Sequence, residues 1–114
     1  VRMYIHPYHS TALDRIKETN WPLFEEWKKR LVATNQTAAE ASGSDPFPLR
    51  DFSGYHEIAK EPIPWPKHPT RPMKYYFESS HFRKPTGDIL LENLFGLRDD
   101  LGAWLAAPVQ VKSL

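Results

Sequence analysis

Between Glu61 and Pro72 the chain reads EPIPWPKHPTRP, with prolines at positions 62, 64, 66, 69 and 72. Proline has no backbone N–H and fixes φ, so neither a regular helix nor an interior strand survives that spacing. The chain is thereby cut into a part before the segment and a part after it. The segment itself is expected to be a long extended loop. Such a loop covers an edge or a mouth of the fold, or docks as an arm on another chain, with Trp65 as its anchor in either case.

The first part opens on Val1 to Ile5, VRMYI, a run of β-branched and aromatic residues that stops at His6-Pro7. The residue before a proline is pushed out of the helical region, so an extended segment ends there. Ser10 and Thr11 are placed to cap a short helix with Leu13 and Ile16 on its buried side, and Asp14 stands where Thr11 needs a capping partner. A second helix is expected over Pro22 to Thr34. Pro22 suits a first helical position, acids sit near its start, and Lys28, Lys29 and Arg30 sit near its negative end. Leu23, Trp27 and Leu31 recur every four residues with Phe24 alongside, and this stripe is read as core packing. The helix can run on to Ala41, where Ser42-Gly43-Ser44 ends it. Leu49 to Ser53 is expected as a short strand carrying Asp51, followed by a tight turn or close backbone approach at Gly54.

In the second part, Met73 to Phe77 reads as a strand and Pro85 to Phe95 as a helix, with Ile89, Leu90, Asn93 and Leu94 sharing a face and Gly96 as its left-handed stop. Alternation puts Tyr75 and Phe77 on one side and Tyr76 on the other, which fits a strand covered on both faces. A last short helix is expected around Leu101, Trp104 and Leu105, ended by Pro108.

A chain of 114 residues holds at most one domain, and 40% hydrophobic residues suffice for one real core despite a mean hydropathy of -0.59. Fifteen basic against fourteen acidic residues leave a formal charge of +1 with the signs interspersed, so no nucleic-acid footprint is visible. The absence of cysteine removes disulfides, thiolate metal sites and a thiol nucleophile. No apolar run approaches a membrane span and no signal-peptide pattern opens the chain. A soluble protein follows, cytoplasmic if the chain is complete as given, although a start at Val1 rather than methionine suggests that a natural N-terminus is missing.

The candidate chemistry lies in Tyr75 to Gly96, YYFESSHFRKPTGDILLENLFG, where Glu78 and His81 stand three apart between a strand and a helix. A carboxylate that accepts a hydrogen bond from one imidazole nitrogen fixes the tautomer and leaves the other nitrogen to take a proton from a nucleophilic hydroxyl. Around this pair, DFSGYHEIAKEPIP (Asp51 to Pro64) and KYYFESSHFRKPTGDILLENLFG (Lys74 to Gly96) resemble the C-terminal part of an uncharacterised bacterial branch of the SGNH/GDSL hydrolases. MYIHPYHSTALDRIKETNWPLFEEWKKRLV (Met3 to Val32) is similar to a segment of that branch too. The resemblance implies a flavodoxin-like α/β/α fold and enzymes that cleave esters, often acetyl groups on carbohydrates. The last motif of that family is Asp-x-x-His ahead of the C-terminal helix, which matches Glu78 and His81, with the acid one methylene longer. A Gly-Asp-Ser-like nucleophile block and a Gly-x-Asn-Asp oxyanion segment do not occur in the chain. Ser10, Ser53, Ser79 and Ser80 lie near strand ends, but none has the strand–tight turn–helix context that exposes a nucleophile.

Three further residues are candidate ligand contacts. Tyr8, with Tyr4, Tyr75, Tyr76 and Phe77, would line an aromatic wall for a sugar or small acyl group. Trp65 anchors the proline segment, and Asp51 either caps a turn or orients His6 or His81, capping being its ordinary role. His6 and His9, with His56 or His81, would give nitrogen ligands to a metal, but their spacing implies no third ligand, and neither metal nor cofactor is expected.

The expected architecture is therefore α/β, with a small, mostly parallel sheet of Val1–Ile5, Leu49–Ser53 and Met73–Phe77 covered by helices, like the C-terminal half of a flavodoxin-like hydrolase domain. Its first strand would have an open edge, so a homo-oligomer is expected, with that strand or the proline arm at the interface. The functional expectation is a hydrolase-derived module that retains an acid–histidine pair and is not catalytic alone. The alternative is an esterase once a nucleophile-bearing segment is joined to it or complements it.

Overall fold

The computed structural model describes residues 1–109 as a mixed α/β domain. In chain order the elements are β1 (Met3–Ile5), α1 (Ser10–Ser42), β2 (Leu49–Asp51), β3 (Tyr76–Glu78), β4 (His81–Phe82), α2 (Lys84–Leu94) and β5 (Ala103–Ala106). The main sheet has the order β1-β2-β5, and β3 and β4 form a separate hairpin.

The sheet is mixed rather than mostly parallel. β1 and β2 run parallel with Tyr4 opposite Arg50, while β5 lies antiparallel to β2 with Trp104 opposite Arg50. The third strand is thus Ala103–Ala106, where a helix was expected, and Met73–Phe77 takes no part in this sheet. Two contacts override the helical leaning of Ala-Trp-Leu-Ala. Gly102, at φ +77, brings the backbone so close to β2 that an added Cβ would lie 2.5 Å from the Asp51 carbonyl oxygen. The guanidinium carbon of the buried Arg50 then lies over the Trp104 ring, 4.8 Å from the ring centroid.

The two helices cover opposite faces of the sheet. Along β2, Asp51 turns to α1, where it meets Lys28, and Arg50 turns to α2, where it meets Asn93. Phe52, Ile58, Met73, Tyr76, Leu90 and Leu101 close the core on the α2 side.

α1 is two helices joined across a kink at Asn20, whose backbone is not helical; Asn20 Oδ1 accepts from Leu23 N–H at 3.3 Å and so caps the second. Pro22 follows as a start signal requires. The helix continues to Ser42 and stops at Gly43, which is left-handed (φ 66). Its expected core stripe is not buried: Leu23 is 61% and Trp27 47% exposed, whereas Leu13, Asn35 and Ala39 are buried. Lys28 is drawn inward by Asp51, and this rotates the Leu23–Trp27 flank outward. The first helix is capped by the His9 ring rather than by Ser10 or Thr11, and Asp14 accepts from the Tyr55 hydroxyl instead of serving the cap.

α2 begins with Pro85 in its first turn and buries Thr86, Leu90, Asn93 and Leu94. The proline segment forms no strand or helix, and its ends are tied together by one side chain. The Glu61 carboxylate accepts from the N–H groups of Lys74 (2.6 Å) and Tyr75 (3.0 Å).

Candidate functional site

β3 and β4 exist to make one tight reversal. Tyr76 pairs with Phe82 and Glu78 with His81, leaving Ser79 and Ser80 as the turn. Only Tyr76 of this hairpin is fully buried, its hydroxyl donating to the Pro7 carbonyl at 2.6 Å, and burial raises its pKa well above the usual tyrosine range. Phe77, on the opposite side, is 62% exposed, so the hairpin is covered on one face only. The two-sided burial read from its aromatic alternation is not realised, because the strand pairs with β4 at the edge of the molecule and not within the main sheet.

The reversal brings the acid and the imidazole together. Glu78 Oε1 lies 2.6 Å from His81 Nδ1. The Ser80 hydroxyl donates to both carboxylate oxygens, at 2.9 and 3.2 Å, and the Ser80 N–H donates to Oε1 at 3.0 Å. The Ser80 hydroxyl, followed by the His81 ring, holds the Glu78 carboxyl below its ordinary range. With the carboxylate on Nδ1, the ring proton resides there. Nε2, with no protein partner among the described residues, is left as the basic nitrogen. Ser80 sits 3.3 Å from Nδ1, on the orienting side of the ring, which is the wrong side for a nucleophile. Both partners face solvent, with side-chain exposures of 77% for His81 and 52% for Glu78. The pair is open to whatever stands beside it.

Behind the hairpin stands the loop from β1 to α1. His6 lies 5.4 Å from the Phe82 ring and edge-on to Tyr8 at 4.8 Å, and Tyr8 meets Phe24 at 6.3 Å. The aromatic wall expected around Tyr8 is therefore partly present, running through His6 and Phe82 to the strand that carries His81. Burial lowers the His6 pKa, the Ser80 backbone and Glu78 pull it up, and the His81 charge pulls it down; its Nε2 is sealed from solvent without a partner.

Asp51 is spent elsewhere. Its Oδ1 accepts from the N–H (2.8 Å) and hydroxyl (2.6 Å) of Ser53, which is a capped turn, and its Oδ2 pairs with Lys28 Nζ at 2.9 Å. Trp65 is 37% exposed in the proline loop. Both ring nitrogens of His9 and of His56 are engaged in hydrogen bonds, and among the described residues no group of three or more histidine or acidic side chains is arranged to hold a metal ion.

Sequence reasoning weighed His9 only as a metal ligand and did not single out Arg50. His9 caps a helix through an imidazole, outside the usual set of capping side chains, and its only sequence signal is its place just before Ser10-Thr11. Arg50 stands between Leu49 and Asp51 in β2 and is 2% exposed; Leu-Arg-Asp carries no local signal of that burial, because the groups that satisfy Arg50 lie more than forty positions later. No family model matches the chain, and no curated protein or solved structure matches it either.

Proposed function

We propose that the chain is an SGNH-hydrolase-like module that supplies the acid–histidine half of an ester-hydrolysing site and takes its nucleophile from a segment placed against it. The carrying observation is the 2.6 Å contact from Glu78 Oε1 to His81 Nδ1, with Nε2 unengaged among the described residues. That is the arrangement in which an imidazole accepts a hydroxyl proton and later returns it to a leaving alcohol. The position of Ser80 on the Nδ1 side supports a nucleophile from outside the hairpin. The exposure of the pair supports a wall that a second segment or copy completes. Among the described residues β1 pairs only with β2, and its other edge, with Tyr4 44% exposed, is where this reading places that association. Substrates in this reading are small esters, including acetyl groups on carbohydrates.

Hydrolysis of a short-chain nitrophenyl ester tests the proposal. The chain alone is expected to show little turnover; joined to or mixed with a Gly-Asp-Ser-bearing segment it should gain turnover that His81→Ala abolishes. Equal rates with and without His81 would remove the reading. Light scattering at micromolar concentration checks the association, and a strictly monomeric species would remove the homo-oligomer from it.

A further inference from the structure

Both ring nitrogens of His9 are engaged, and their bonds run in two directions. Its Nδ1 accepts from the Thr11 N–H (3.2 Å) and lies 2.9 Å from the Thr11 hydroxyl, which satisfies the start of α1. An Nδ1 that accepts leaves the ring proton on Nε2, and that nitrogen donates to the Glu61 carbonyl at 2.7 Å. Helix capping needs only the first of these.

The second direction leads to Glu78 and His81. Glu61, held through its carbonyl by His9, uses its carboxylate to fix the N–H groups of Lys74 and Tyr75, the two residues just ahead of β3. The His9 ring meets that of Tyr76, the first residue of β3, in a T-shaped contact at 5.2 Å and 87°. The His9 backbone N–H donates to the Ser79 carbonyl at 3.3 Å, inside the turn itself. The hairpin that presents Glu78 and His81 is thus gripped before its first strand, on that strand and at its turn, and His9 takes part at each point. It is only 2% exposed.

We propose that His9 is a positioning residue: through Glu61, Tyr76 and Ser79 it sets the β3–β4 turn so that Glu78 holds His81 with its proton on Nδ1. It touches neither the imidazole nor any reacting atom. The catalytic value of that tautomer rests on the hydrolase reading, but the tautomer is measurable without it.

Ring 15N shifts of His81, recorded where the imidazole is neutral, report the ratio of Nδ1–H to Nε2–H forms. His9→Asn keeps an oxygen that caps α1 and removes the reach to Glu61, so the fold should persist while the ratio falls roughly fivefold, the equivalent of one net hydrogen bond. Glu61→Ala leaves the helix cap intact and should lower the ratio in the same way, which guards against a His9 variant that fails to fold. An unchanged ratio in Glu61→Ala, or in a folded His9→Asn, would reduce His9 to a helix cap and overturn the proposal. Loss of ester turnover in the complemented enzyme with a wild-type ratio would instead count against the hydrolase reading.

Discussion

The two ends of β1 belong to very different environments. Ahead of the strand, Arg2 donates to the Leu94 carbonyl at the end of α2, beside a buried polar clamp. There Arg50 donates to the Leu101 carbonyl (2.8 Å) and pairs with Asp99, while Asn93 Oδ1 accepts from the N–H groups of Asp100 and Leu101. Beyond the strand, His9 reaches a hairpin whose acid and imidazole stand in solvent. The first arrangement is satisfied on almost every side and has no spare valence for chemistry. The second has one short hydrogen bond and an unused nitrogen. Buried polar groups in a closed network specify a fold; an exposed pair with an open position can act on something else.

Breaking the closed end should therefore cost stability, and breaking the open end should not. Arg50→Ala is expected to be the most damaging change, about 3 kcal/mol or more by urea denaturation, because it strands the Leu101 carbonyl and opens the space under Trp104. Asp99, 85% exposed, is the weaker side of that pair, and Asp99→Asn should cost far less. Gly102→Ala comes next, at about 2 kcal/mol, since a Cβ at φ +77 would collide with the Asp51 carbonyl and push β5 from the sheet.

A smaller effect is expected from pH. In the folded chain His56 accepts from Ala59 N–H on Nδ1 and donates from Nε2 to the Phe52 carbonyl, and burial lowers its pKa from 6.5, the Phe52 carbonyl opposing. Below about pH 6.5 the unfolded chain takes up that proton before the folded one does. Stability should thus be level above that point and decline as pH falls towards the lowered folded value. His56→Gln should flatten part of the decline, and an identical pH profile would show that His56 does not contribute. Least of all, Glu78→Gln should leave the unfolding midpoint where it is while removing the Nδ1–H preference of His81. A large loss of stability would mean that the hairpin acid belongs to the closed kind of network after all.

How far the sequence carries the reading depends on which contacts decide each element. α2 was legible from Pro85, its apolar spacing and Gly96, all within one short stretch, and the end of α1 at Gly43 was legible for the same reason. The approach of Glu78 to His81 was legible because they stand three positions apart, with only Ser79 and Ser80 between them. β5 was not, because its conformation is imposed by Arg50 and Asp51, some fifty positions earlier, and Ala-Trp-Leu-Ala alone leans towards helix. The outward flank of α1 was misread because a four-residue period fixes which residues share a side, not which side is covered. Here Asp51 claimed Lys28 and decided the rotation. His9 was weighed only as a metal ligand, because the partners that give it its role, Glu61 and Ser79, lie fifty or more positions later in the chain.

The Glu61 clip has a consequence for how the polypeptide can be cut. Because one carboxylate gathers both ends of the proline loop, the loop's own peptide bonds do little to keep the two parts of the chain together. Tyr76 on Pro7, His9 on Ser79 and Glu61 on Lys74 and Tyr75 all bridge the parts directly. A chain opened by trypsin after Lys67 should accordingly stay assembled as two fragments that co-elute and retain native circular dichroism. The same loop is then the natural seam at which new termini or an inserted reporter can be placed without disturbing His81.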